Sequence, residues 1–298
     1  MRVAAHQYFL PLFLLLGSTA CSSDKQKPVQ AETPVHATAT VLTKLGPYFD
    51  SQWAMNELWE DSLAEVATYA AEQVVDNEIR RFDCTLITQK EEFTPQYNVR
   101  TEDYARKDLF PVLKVSQMYS VPAEQYPRHF LTSLFFRRDQ PVPLYKLTSS
   151  VQDGCGTTFK AINDDGLQYL EVYDSYRDKQ GAGRRQLRHE VLFEDALPYT
   201  LRSLRFARFP AFSVAECATR QTNEASPPAY YAAQVRVADG LIADTAEPAW
   251  RVTVALADRK ENVYWFGKQY PNLLLRQTTW DGRNLTLKST RRALCPKP

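Results

Sequence analysis

An excess of charge of either sign is what this sequence most plainly lacks. Its 298 residues carry 36 Lys and Arg against 35 Asp and Glu, a net +1, so no field draws a polyanion and no nucleic-acid partner is expected. Long apolar runs are also missing. Residues 8–16 (YFLPLFLLL) are the most apolar stretch, well short of the roughly 20 residues that span a bilayer, and no permanent transmembrane helix is expected. Histidine is scarce: of four, only His129 and His189 fall in the body of the chain, far apart and outside any H-E-x-x-H pattern. With cysteines equally scattered and no C-x-x-C, no metal site is expected. The Gly181-Ala182-Gly183 run lacks the lysine and following apolar helix of a phosphate-binding loop, and no cofactor is expected. The paired carboxylates Asp164-Asp165 and Glu91-Glu92 read as a turn and a strand end, not as a glycosidase pair. Glycine is sparse at 10, whereas 16 Tyr, 15 Phe and 5 Trp favour pleated, half-buried surfaces.

What the chain does have begins at its N-terminus. Arg2 and the amino group precede the apolar run, and the small residues Gly17-Ser18-Thr19-Ala20 lead to Cys21, which is signal-peptide anatomy. The tetrapeptide STAC resembles the bacterial lipobox, in which the cysteine is acylated and becomes the first mature residue. Ser18 stands where that motif favours leucine, and Ser18-x-Ala20 also suits an ordinary signal peptidase. The resemblance implies a membrane partner through acylated Cys21, carrying palmitate-type chains whose buried methylenes each contribute about 0.8 kcal/mol. It places the protein in the bacterial cell envelope, and Ser22 is compatible with the outer membrane. Residues 1–20 are then a signal peptide. Residues 21–46, polar and rich in Pro, Ala and Thr without an apolar period, form a flexible tether, and residues 47–298 form a single globular domain.

Outside the cytoplasm disulfides are admissible, and Cys84, Cys155, Cys217 and Cys295 allow three connectivities. Buried free thiols are the alternative, because a body of this size does not need stapling.

The body reads as mainly β: a large curved antiparallel sheet, a meander or half-barrel, with one or two short helices. Residues 249–257, 263–268, 273–280 and 283–292 are β-branched and aromatic runs, the last two joined by Asp281-Gly282, a hairpin signal. Residues 144–151, 157–162 and 167–176 repeat the pattern around Asp165-Gly166. A polar loop, DKQGAGRR, and another strand, QLRHEVLFED, follow, and residues 198–206 allow a short helix. Residues 63–75 are ambiguous: apolar positions 63, 66, 67, 70 and 74 suit a helix, while Val66, Thr68 and the RFDCTLIT run beyond suit a hairpin. Strand is the reading adopted.

The phrases AEVATYAAEQ, YPRHFLTSLFF, LYKLTSSVQDGCGTTFK and YWFGKQYPNLLLRQTTWDGRNLTLKSTRR resemble a family of uncharacterised Bacteroidota lipoproteins across most of residues 59–292. Some members bear the label septum formation inhibitor Maf, which implies a nucleotide pyrophosphatase with an S-x-R-R-type phosphate motif. Arg184-Arg185 and Arg291-Arg292 lack the serine of that motif, so the label carries no site here. The C-terminal meander also resembles the curved sheets of periplasmic lipoprotein carriers, which bind acyl chains.

Two functions of different class follow. The first is a non-enzymatic, lipid-anchored envelope protein whose concave face or aromatic clusters, Tyr230-Tyr231 and Tyr264-Trp265-Phe266, bind an apolar or envelope-derived ligand. The second is a cysteine-dependent hydrolase. Cys155 lies between glycines that permit close backbone approach, with His189 or His129 as base and Asp153 or Glu190 as orienter. Arg202, Arg205 and Arg208 would line a basic helical stripe, or a solvated face.

Overall fold

The computed structural model describes residues 44–294 except 76 and 244. Cys21, Cys295, the segment read as a signal peptide and most of the segment read as a tether lie outside the described residues. The body starts earlier than residue 47, because Leu45 is buried in the core.

Burial with a period of two runs through the chain and settles the ambiguous segment. In β1 (Leu63–Val75) the buried side chains are Ala64, Glu65, Ala67, Tyr69 and Ala71, while Ala70 and Val74 are exposed. The apolar set that suits a helix therefore shares no buried face, and alternation from residue 65 onward marks a strand. Small alanines either side of Tyr69 leave room for its ring, whose hydroxyl donates to the Leu274 carbonyl at 3.0 Å.

From β1 the chain meanders through β2 (Glu78–Thr94), β4 (Phe110–Val121), β5 (Arg128–Arg137), β6 (Lys146–Asp153), β7 (Gly156–Asp164), β8 (Tyr169–Ser175) and β9 (Gly181–Leu187), with β3 (Val99–Arg100) paired to β2 alone. A second meander comprises β10 (Leu192–Phe193), β11 (Ala211–Ala218), β12 (Ala229–Leu241), β13 (Pro248–Leu256), β14 (Glu261–Gly267), β15 (Leu274–Thr278) and β16 (Asn284–Leu294). The two are zipped into one sheet by β16 against β1, from Leu63 opposite Leu294 to Glu72 opposite Asn284. Every pair is antiparallel except β10 with β11. The expected turns are present, with Gly166 at φ 85° and Gly282 at φ 80°.

The sheet is not closed; β9 and β10 are its edges. A flat path of fifteen strands at about 4.8 Å each would separate those edges by about 65 Å. Residues 188–191, which join them, span less than about 20 Å fully extended. The sheet must therefore curl until its edges face one another across an unpaired seam.

Three expectations are corrected. DKQGAGRR is mostly strand β9, because the Arg185 guanidinium reaches buried Glu171 on β8 at 3.1 Å and Gly183 passes under the Tyr173 ring, where a Cβ would lie 2.5 Å from the hydroxyl. QLRHEVLFED is no single strand: it breaks after Leu187, resumes as two-residue β10, and enters a ten-residue helical run of Glu194–Ala196, Leu197–Thr200 and Leu201–Ser203. Nor do the three arginines form a stripe. Arg202 is buried in a bidentate pair with Glu65 at 2.7 and 2.8 Å, and Arg205 donates to the Phe49 carbonyl.

Two apolar clusters fill the concavity. One joins β1, β2 and β11–β16 through Tyr69, Val235, Val252 and Phe266. The other sets Trp53 and Trp59, from the turns Trp53–Met55 and Glu57–Glu60, against Phe136, Leu147, Tyr169 and Tyr199. Tyr264 and Phe266 are thus core, while Tyr230 and Tyr231 are half-buried against the clusters' margins.

Candidate functional site: a polar cavity under the β11–β12 loop

Between these clusters the interior turns polar. The first turn of the helical run delivers Glu194 and Asp195. Alternation along β11 puts Phe212, Val214 and Glu216 in one phase, so Glu216 enters the interior where an apolar side chain is expected. The β15–β16 turn contributes Asp281 and Arg283, and β15 contributes Gln277. The loop after β11 supplies Thr219, Arg220 and Gln221. It lies over β7 and β9, where the Lys160 ammonium donates to the Arg220 carbonyl at 2.9 Å and Arg185 to the Ala225 carbonyl at 2.6 Å.

Arg283 organises the group. Its guanidinium bonds Glu194 at 2.6 Å and Asp281 at 2.9 Å, and Asn262 donates to Glu194 at 3.4 Å. Thr219 donates to Asp195, and the Gln221 amide bonds Asp195 at 3.3 Å and Thr219 at 2.8 Å. The Gln277 amide donates to the Arg283 carbonyl at 3.2 Å. Four atoms are left over: two acceptors, the amide oxygens of Gln221 and Gln277, and both oxygens of the Glu216 carboxyl are buried without a hydrogen-bond partner.

Burial, then the negative charge of Glu194, Asp195 and Asp281, pushes the Glu216 carboxyl up to about 8 against the opposing pull of Arg283, so it is largely protonated at neutral pH. Burial also raises Glu194, with Arg283 pulling the other way. Asp281 shows the reverse balance: burial works against its charged form, yet Arg283 holds it below the usual carboxylate range.

Beside this cluster lies a cavity of about 350 Å³, walled by Asp195, Arg220, Gln221, Gln277, Asp281 and Arg283 on one side and by Phe82, Cys84, Gln117 and Tyr119 on the other. Tyr119 is stacked between Phe82 at 5.2 Å and Phe130 at 4.5 Å, which gives the cavity one rigid aromatic wall. Among the described residues no group of His, Cys, Asp and Glu is arranged to hold a metal ion.

The sequence candidates lie elsewhere. Cys155 is exposed in the β6–β7 turn, with its N–H donating to Asp153 at 2.9 Å. His189 bonds Asp164 at 3.0 Å, at the opposite end of β7 and so about 26 Å along the strand. Glu190 pairs with Lys44. His129, opposite Gln152 of β6 in the ladder, has its ring bonded to Ser120 of β4 at 2.7 Å. Neither histidine is hydrogen-bonded to Cys155. Among the described residues Cys84, Cys155 and Cys217 are free: Cys84 and Cys217 are buried in different apolar clusters, while Cys155 sits at a turn tip. Burial pushes the thiols of Cys84 and Cys217 up to about 12. Alkylation of the native protein, mapped by peptide mass, is therefore expected to modify Cys155 fully before Cys84 or Cys217 reacts; modification of Cys84 first would contradict this packing.

Glu194, Glu216, Gln221, Gln277 and Arg283 were not singled out by the sequence. The one signal was Glu216, a lone acid in the apolar phase of AFSVAECA. No protein-family model, curated protein or solved structure matches the chain.

Proposed function

We propose that this protein is a lipid-anchored, non-enzymatic binding protein of the bacterial envelope, whose ligand enters the cavity under the β11–β12 loop. The observation that carries the reading is a cavity of about 350 Å³ bordered by buried acceptors that no protein donor satisfies. Its volume falls in the small-molecule range of about 300–1,000 Å³. The N-terminal STAC and the polar segment after it support the anchor.

The walls favour a polar envelope-derived ligand over an acyl chain. Sealing an apolar molecule against unpaired acceptors costs about 1–3 kcal/mol per atom, whereas a ligand with N–H or O–H groups recovers that cost. The aromatic wall supplies a flat apolar surface for the ligand's other face.

Native mass spectrometry of the full chain, gently extracted from envelope, tests this. A copurified polar small molecule is expected, absent from a folded Gln277→Leu variant. Protein extracted empty, or carrying only acyl lipid, would count against the cavity as the site. Palmitate-analogue labelling lost in Cys21→Ser is the result the anchor requires.

A further inference from the structure

We propose that the cavity takes a small ligand bearing a protonated amine, and that the arriving amine drives the proton off Glu216 into solvent. This rests on the binding reading above and adds the ligand's charge and a proton coupled to it.

The unpartnered buried atoms on residues that line the cavity share one chemistry: Gln221 Oε1 and Gln277 Oε1 accept hydrogen bonds. Gln277, only 8 % exposed, is itself a cavity wall. The neighbouring donors are already engaged, since Arg283 is held by Glu194 and Asp281 and the amide nitrogens of Gln221 and Gln277 bond Asp195 and the Arg283 carbonyl. The missing component is a donor.

Charge narrows the donor to a cation. Glu194, Asp195 and Asp281 stand around the single guanidinium of Arg283, with Glu216 behind them. Arg220, the other cation of the wall, lies over the Trp280 ring at 5.3 Å. With Arg220 also acting on Asp281, three carboxylates face two guanidiniums and leave a net negative site, which an ammonium complements and a neutral polyol does not.

Glu216 is where the added charge is felt. The groups facing it are Glu194 and Asp195 from the helical run, Asp281 and Arg283 from the β15–β16 turn, and Tyr264 on β14; Tyr231 is its ladder partner on β12. Its carboxyl is held neutral by burial and by those carboxylates together. A cation in the cavity offsets their field, and the balance is simple: the ammonium keeps its proton, Glu216 loses one to solvent, and the ion pair forms through space.

Isothermal titration of the full chain with glucosamine and with putrescine at pH 7, in two buffers of different ionisation enthalpy and with glucose as the neutral control, is the test. The amines are expected to bind about tenfold or more tightly than glucose and to release a proton on binding. In Glu216→Gln the amines still bind, several-fold more weakly, and the proton release disappears. Equal binding of glucose would overturn the amine assignment while leaving the binding reading in place. Proton release undiminished in Glu216→Gln would overturn the role of Glu216. If neither amine binds at millimolar concentration the inference fails, and the copurification experiment then decides the fate of the binding reading separately.

Discussion

Replacing Arg202 by methionine is expected to destabilise the protein by about 3–5 kcal/mol, since it strands a buried carboxylate. Arg202 and Glu65 are 4 % and 6 % exposed, and their bidentate bonds of 2.7 and 2.8 Å are joined by an Nε bond to the Pro271 carbonyl at 3.0 Å and by Trp53, whose ring lies 5.2 Å from the guanidinium. The pair clamps the helical run onto β1, so its loss is felt by both apolar clusters. The double variant Glu65→Leu/Arg202→Met removes both charges together and is expected to recover most of the loss, because a buried pair returns little beyond its own desolvation cost. Urea unfolding of the two singles and the double measures this coupling. A single-variant loss below about 1 kcal/mol would mean that water reaches the pair.

The second large effect is on pH. With Glu216 raised from 4.5 to about 8, the folded chain keeps a proton that the unfolded chain surrenders. The stability tied to this group is fully present below about pH 4.5 and is lost as pH rises through about 8. Each tenfold gain in proton affinity on folding is worth about 1.4 kcal/mol, so a few kcal/mol are at stake. Glu194 and Glu171, both raised by burial, act in the same sense. Asp281 and Asp153, held low despite burial by Arg283 and by hydrogen bonds from the Cys155 and Gly156 amides respectively, act in the opposite one, losing their contribution as pH falls. The comparison that isolates Glu216 is the stability of Glu216→Gln relative to the parent. That difference should move in the variant's favour by a few kcal/mol between pH 5 and pH 9. A difference independent of pH would show that Glu216 titrates alike in both states.

How much of this was legible from residues alone divides along a physical line. Strands announced by local chemistry were readable: β13–β16 through their β-branched runs and the positive φ at Gly282, and β7–β8 through Asp165-Gly166. β1 was legible only in outline, because its alanines satisfy both periods and the choice lies in which face is buried. β9 was hidden because its polarity is met by distant partners, Glu171 and the Ala225 carbonyl. The cavity was hidden for the same reason. Its residues come from the helical run, β11, the loop after it, β15 and the β15–β16 turn, and nothing in the local pattern of Gln277 or Arg283 distinguishes them from surface residues. Cys155 drew attention as a cysteine between glycines, yet those glycines lie beneath the Tyr126 and Tyr176 rings, so they are explained by packing.

The pairing of β1 with β16 has a consequence for how the molecule comes into being. The first and last strands of the sheet lie side by side at its centre, while the sheet's edges belong to the middle of the chain. A nascent chain can lay down two separate meanders as it emerges, but each keeps a raw hydrogen-bonding edge until the final strand appears and joins them, the slow kind of closure that high contact order entails. Until synthesis has delivered β16, the chain is open to pairing with the wrong partner. A permuted chain opened between residues 188 and 191, with its old ends linked, would make every neighbouring strand sequential and would no longer have to wait for its own last residues.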